Sequence, residues 1–275
     1  MDVKSKELFP AIFSRHAGAY QRRLNEIMAR GQARGRQRVI EALNVQPGMR
    51  VLDLACGPGT LSFPLAAQVA PDGDVVGVDL AEGMIQLARA AGIPNARFEV
   101  MDIERLAFSD ASFDAAACGH GIQFAPDLGR ALSEARRVLR TGARFAASVP
   151  VGSQRERPWA LVEEVVDRYL PPPPQAVDQQ ATKAIVADVE AFRAAALAAG
   201  FAEARVEVMS EVVRWKSAEE LVAMFVSWWD CAVRLEGISQ ERSRQFGEDA
   251  LASLKHSYPG AIETRESNHV LFAIA

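Results

Sequence analysis

Apolar and polar positions follow two rhythms along this chain, and the switches between them mark its elements. From Met49 onward, short apolar runs of strand length (MRVLDLA, DVVGVDL, ARFEVMDI, FDAAACGHG and RFAASVP) alternate with longer stretches. Those stretches, LSFPLAAQVA, AEGMIQLARAAG and LGRALSEARRVLRTGA, repeat their apolar residues at helical spacing. The last predicts a helix over 128–143, with Arg136, Arg137 and Arg140 suited to its negative end and Gly142 as its stop. Strands separated by helices in this order predict a parallel sheet covered on both faces. Two further strands are expected later: ARVEVMSEVVRW, after the alanine-rich helix VADVEAFRAAALAAG, and NHVLFAIA at the end.

Helical texture also lies outside this alternation. Residues 1–46 read as an N-terminal helical lid and 47–150 as the core. Residues 151–200 read as a cap insertion with its return helix, and 201–275 as the last two strands with a helical insertion over about 217–265. RERPWALVEEVVDRYL reads as a cap helix, and the four prolines at 171–174 block its continuation and form a stiff elbow. Helical pieces of this kind meet as a cap over the ligand edge of a sheet.

Composition excludes several functions. Hydrophobic residues make up 49% of the 275 and charged residues 24%, as in an ordinary globular protein. A formal net charge of -4 gives no general attraction to nucleic acid. Cys56, Cys118 and Cys231 are an odd set without metal-ligand spacing, so reduced structural thiols and no metal are expected. No apolar run has membrane-spanning length and the first residues carry no targeting pattern, so a cytoplasmic protein is expected; a homo-oligomer stays open.

The candidate chemistry sits in VLDLACGPGT. An apolar strand ends there in a turn, Ala55–Gly59, whose Gly57 and Gly59 let bare backbone approach a ligand. Asp79 follows Gly59 by twenty positions, at the end of the second strand, where a carboxylate accepts both hydroxyls of a ribose. Nicotinamide-dependent oxidoreductases share this much, although GPGTLS lacks their last glycine and the chain has only three tyrosines. A non-catalytic cofactor-binding protein is the other alternative. A third acid, Asp102 in VMDIERLAF, is expected at the end of strand three beside the same crevice.

Taken together, VLDLACGPGT, GVDLAEGMIQLAR, MDIERLAFSDASFD and GHGIQFAPDLGRALSEARRVLRTGARF resemble the class I S-adenosylmethionine-dependent methyltransferases, most closely the ubiquinone and menaquinone biosynthesis group. The resemblance implies a Rossmann-like α/β fold, a seven-stranded mostly parallel sheet with helices on both faces and a helical cap. It implies S-adenosyl-L-methionine as cofactor and S-adenosyl-L-homocysteine as product. Ala55, Cys56, Gly57 and Gly59 would then face the methionine end with Asp53 at their root, and Asp79 would hold the ribose. Leu80, Met84 and Ile103 would sandwich the adenine, and Asp102 would accept from its amino group. His120 would face the transferred methyl, as a cofactor contact and a candidate general base, since neutral imidazole takes a phenol or enol proton.

The acceptor side is read more coarsely. His16 and Tyr20, four apart, share one helix face, and Gln123 and Phe124 follow His120 closely. With Trp159, Trp228 and Trp229 they are candidate substrate contacts for a largely apolar or aromatic small molecule. The segment after strand four is GHGI and not the N-P-P-[YF] tetrad of the nucleic-acid and glutamine N-methyltransferases. Oxygen is therefore the leading acceptor atom, then carbon, then nitrogen, in quinone or natural-product biosynthesis.

Overall fold

The computed structural model describes residues 4–151, 157–176 and 178–275; residues 1–3, and the Arg155–Glu156 start of the segment read as a cap helix, lie outside the described residues. Two helices, α1 (Ser5–Ala29) and α2 (Arg34–Leu43), precede the sheet. The core then runs β1 (Arg50–Leu54), α3 (Ser62–Val69), β2 (Asp74–Asp79), α4 (Glu82–Ala90), β3 (Ala96–Val100) and β4 (Phe113–Gly119). A 3-10 turn at Ile122–Phe124, α5 (Leu128–Val138) and β5 (Leu139–Val151) follow. After α6 (Arg157–Tyr169), α7 (Gln180–Ala187) and α8 (Val189–Ala198) come β6 (Glu203–Trp215), α9 (Ala218–Ser227), α10 (Trp229–Glu236), α11 (Gln240–Ser257) and β7 (Ile262–Ile274).

Among the described residues the strands form one seven-stranded sheet in the order β3-β2-β1-β4-β5-β7-β6, parallel except that β7 opposes both of its neighbours. Side chains alternate across a strand, so each face has its own core. Leu52, Leu54, Val76 and Val78 pack with Leu128, Leu132 and Ala135 of α5 on one face. Val51 and Val75 pack with Val39 and Leu43 of α2 and Leu65 and Val69 of α3 on the other.

Three boundaries differ from the periodicity. The helix expected over 128–143 stops at Val138, because Leu139 already pairs with Phe113 in the sheet, and Gly142 (φ 81°) turns the chain so that Arg144 pairs with Ala115. The alanine-rich helix starts afresh at Asp188, which is extended (ψ 124°) and caps α8 by accepting from the Ala191 N–H. The last insertion ends at Ser257, and β7 takes up Ile262 to Ser267 as strand.

That longer strand shapes the molecule. β6 and β7 pair from Glu203–Ile274 to Trp215–Ile262, whereas β5 pairs with β7 only as far as Ser267. The two-stranded ribbon therefore runs five positions past the sheet edge, from Glu211–Glu266 to Trp215–Ile262. It carries a second core built from Trp159 and Val165 of α6, Leu221 and Phe225 of α9, Cys231 of α10 and Phe246 and Leu254 of α11. Among the described residues no helix is long and apolar enough to cross a membrane.

Candidate functional site

The strand ends β1, β2 and β4 converge on the turn after β1. Ala55 (φ 51°), Gly57 (φ 54°) and Gly59 (φ 91°) turn the backbone through the left-handed region. Asp79 braces this turn, because its Oδ2 accepts from the Gly57 N–H at 2.9 Å and its Oδ1 from the Ala81 N–H at 2.8 Å. The two key glycines differ in purpose. A Cβ on Gly57 would meet nothing within 4 Å, so its backbone borders open space, whereas one on Gly59 would lie 2.5 Å from the Phe63 ring. Gly59 serves packing and lies outside the cavity lining.

Asp53, fully buried, accepts from the Ser62 hydroxyl at 2.5 Å through Oδ2, while its Oδ1 is buried with no hydrogen-bond partner. Burial first, and the Asp79 charge after it, push the Asp53 carboxyl up to about 7 against the pull of Ser62. Asp79 is likewise raised by burial, against its backbone hydrogen bonds. Asp53, Ala55, Cys56, Gly57, Asp79 and Leu80 line a cavity of about 120 Å³. Met84, Asp102, Ile103 and His120 also border it. The Cys56 thiol is pushed well up by burial and packs with Ile85 and Phe98, in keeping with a structural thiol.

Asp102 lies two residues past the end of β3, in a turn where its Oδ1 accepts from the Glu104 N–H at 2.9 Å. Its Oδ2 is engaged by the Lys6 ammonium at 2.7 Å, and Lys6 also reaches Glu104. This contact brings α1 over the cavity. α1 is seated on α4 as well, where the Gly83 N–H donates to the Ser14 hydroxyl at 3.2 Å.

A larger cavity of about 440 Å³ lies beyond, and Phe13, Tyr20, Leu24, Arg36, His120 and Phe124 line both spaces. Phe9 and Phe13 of α1 meet Phe124 at 4.9 and 5.3 Å between ring centroids, and Phe9 meets Trp229 at 5.1 Å edge to face. These rings make the wall of the junction largely apolar. His120 stands there in a left-handed conformation (φ 58°), its N–H donating to the Ser148 carbonyl and its carbonyl accepting from Gln123 Nε2, both at 2.9 Å. Burial, then the Arg36 charge, hold the imidazole well below its ordinary value while the Asn268 side chain opposes them, so it is neutral near pH 7. Its Nε2 is buried without a hydrogen-bond partner.

Of the expected acceptor residues, Tyr20, Gln123, Phe124, Trp228 and Trp229 line the larger cavity. His16 and Trp159 line neither space. His16 points to α10, with Nε2 3.1 Å from Glu236, and Trp159 is 5% exposed in the cap core, donating to Glu266 at 3.2 Å. Arg36, Glu211 and Asn268, which also border this cavity, carry no motif. The legible signal was a charged residue on the buried stripe Arg36, Val39, Leu43 of α2. Burial raises the Glu211 carboxyl to about 7, assisted by Glu266 and opposed by the Arg34 N–H and the charges of Arg34 and Arg36. The buried orphans His120 Nε2, Gln123 Oε1, Gln32 Oε1 and Asn268 Oδ1 belong to residues lining this cavity. Each costs free energy unless a ligand meets it.

Residues 45–202 match the family model described as a methyltransferase domain. A 2-phytyl-1,4-naphthoquinone methyltransferase of Synechococcus elongatus is 32% identical over 223 residues, 74% of this chain and 93% of that protein. A demethylmenaquinone methyltransferase of Symbiobacterium thermophilum is 35% identical over 128 residues, 44% of this chain. Two of the curated matches span only 33% and 51% of the relatives' own lengths. Among solved structures, a phosphoethanolamine N-methyltransferase of Haemonchus contortus, in complex with S-adenosylhomocysteine, superposes with a TM-score of 0.53 at 17% identity. It covers 87% of this chain and 52% of that one, a likeness of fold.

Proposed function

This chain belongs to the class I S-adenosylmethionine-dependent methyltransferases, and we propose that it methylates an oxygen or carbon of an apolar or aromatic small molecule. The observation that carries this reading is the junction, where one set of side chains, His120 and Arg36 among them, lines both a small cavity at the strand ends and a larger aromatic one. The relatives' names add quinone rings as the leading acceptor class. The family leaves no support for the nicotinamide oxidoreductase.

The residues of the smaller cavity fit S-adenosylmethionine. The orphaned Asp53 Oδ1 supplies an acceptor for a buried ammonium, and the open face of Gly57 supplies backbone that a ligand can approach. Asp79, held in place by two N–H donors, retains lone pairs for the ribose. Met84 and Ile103, 2% and 8% exposed, give the adenine apolar faces, and Asp102 borders its edge. When bound, the cofactor supplies an electrophilic methyl group. The protein then has to align the acceptor, keep water out and receive a proton. The rings at the junction would keep water from the reacting atoms, and neutral His120, whose Nε2 has no hydrogen-bond partner, would take the proton.

Calorimetry with S-adenosylmethionine and S-adenosylhomocysteine, followed by mass spectrometry of reactions with a panel of hydroquinones and phenols, tests the reading. Asp79→Ala is expected to weaken cofactor binding roughly tenfold to a hundredfold, the worth of a charge-assisted hydrogen bond. Unchanged affinity in that variant removes Asp79 from the site, and absence of cofactor binding to the wild type removes the function.

A further inference from the structure

Arg36 is buried to 8% exposure, yet among the described residues its guanidinium makes a single side-chain hydrogen bond, from Nη2 to the Tyr20 hydroxyl at 3.1 Å. Among the described residues no carboxylate forms an ion pair with it. Buried arginines are paired as a rule, because an isolated charge taken out of water costs several kcal/mol even after relaxation. Glu211 feels the guanidinium without pairing with it, its Oε1 being engaged by the Arg34 N–H at 3.2 Å. The remaining neighbours do not neutralise it either: Tyr20 offers a neutral hydroxyl, and His120 is held in its uncharged form partly by Arg36 itself. The fork therefore keeps donors for an anion at the junction of the two cavities.

We propose that Arg36 receives the acceptor oxygen as an anion, the phenolate or enolate left when His120 takes its proton, and so selects acceptors with an acidic hydroxyl. The proposal rests on the methyltransferase reading only for the identity of what enters the smaller cavity. An anion at Arg36 completes the missing ion pair, and the orphaned Gln123 and Asn268 oxygens beside it are left for neutral donors of the same molecule. Burial first, and the Arg36 charge second, hold His120 uncharged and so able to take that proton.

The test uses the full chain saturated with S-adenosylhomocysteine, with 4-nitrophenol as an ionisable probe and 4-nitroanisole as its uncharged counterpart. Binding of the phenolate, read by calorimetry, is expected to exceed that of the anisole by roughly tenfold to a hundredfold. The absorbance titration of bound 4-nitrophenol is expected to shift to lower pH than that of the free phenol. Arg36→Gln should abolish both effects, and Arg36→Lys should restore part of the affinity without the fork's full preference. Equal affinity for phenolate and anisole in the wild type overturns the proposal whether or not the variants fold. So does an Arg36→Gln protein that retains the preference, or a wild type loaded with S-adenosylhomocysteine that binds no phenolate. If S-adenosylhomocysteine itself fails to bind while the phenolate preference persists, the cofactor reading falls and the role of Arg36 stands.

Discussion

The Lys6 ammonium lies 2.7 Å from Asp102 Oδ2, joining the first turn of α1 to the loop after β3. The helix that roofs the smaller cavity is thereby tied to the acid proposed to meet the adenine. Both side chains are partly exposed, 36% and 26%, so the pair is worth roughly 0.2–1 kcal/mol. Lys6→Met is expected to speed cofactor release a few-fold, an effect that high salt reproduces in the wild type, as stopped-flow displacement will show. Identical release rates in both proteins mean that the helix is held elsewhere.

Gly83 is that other hold. A Cβ there would lie 2.5 Å from the Ser14 carbonyl oxygen and 2.8 Å from its Cα, and a backbone neighbour cannot swing aside. Gly83→Ala is expected to lift α1 from α4, costing roughly 1–3 kcal/mol of stability and weakening cofactor binding with it. Thermal melts with and without S-adenosylhomocysteine check this; the ligand-induced rise in Tm should shrink in the variant.

Asp53 is expected to make both stability and cofactor binding depend on pH. Its folded carboxyl is raised to about 7, above its ordinary value of 3.8, so between those limits the folded protein binds more protons than the unfolded chain. Its contribution makes the ligand-free protein less stable as pH rises through that window, by up to a few kcal/mol, and level beyond it. A ligand ammonium prefers the ionised carboxylate, so cofactor affinity should rise with pH up to about 7 with release of a proton. Calorimetry in buffers of different ionisation enthalpy measures that proton, and Asp53→Asn should eliminate it while flattening the stability profile.

For His120, replacement by alanine is expected to lower turnover roughly a hundredfold or more with cofactor affinity nearly unchanged. Because burial and Arg36 hold the imidazole well below its ordinary value of 6.5, the wild-type rate should already be level with pH at neutrality, its His120-dependent limb lying lower. Rate–pH profiles of both proteins with one accepted phenol decide the matter. An alanine variant with wild-type turnover removes the general base.

What the sequence made legible was local. Asp53, Gly57 and Asp79 sit within a few residues of predicted strand ends, so a turn and a strand boundary suffice to place them, and the strand–helix alternation predicts the sheet. The acceptor side required tertiary information. Arg36 reads as one more arginine in a basic stretch until α2 is packed against the sheet. Asn268 and Glu211 gain meaning only from the register that brings β7 beside β5 and β6. Trp159 and His16 were misplaced for the same reason. Helical spacing cannot say whether an apolar face meets a cavity or the cap core, nor that Glu236 of α10 lies opposite His16.

The ribbon that outruns the sheet gives the larger cavity a graduated wall. Glu211, Val213 and Trp215 all border it, and alternate residues of a strand stand about 6.8 Å apart. They therefore mark depth, from a carboxyl through an aliphatic side chain to an indole. The near mark follows directly on the last β5–β7 pair, Val151–Ser267, and the far one is anchored by Trp215 Nε1 donating to Thr264 Oγ1 at 3.0 Å. Substituting a single mark is therefore expected to change the length of molecule the larger cavity accepts without touching the residues it shares with the smaller one.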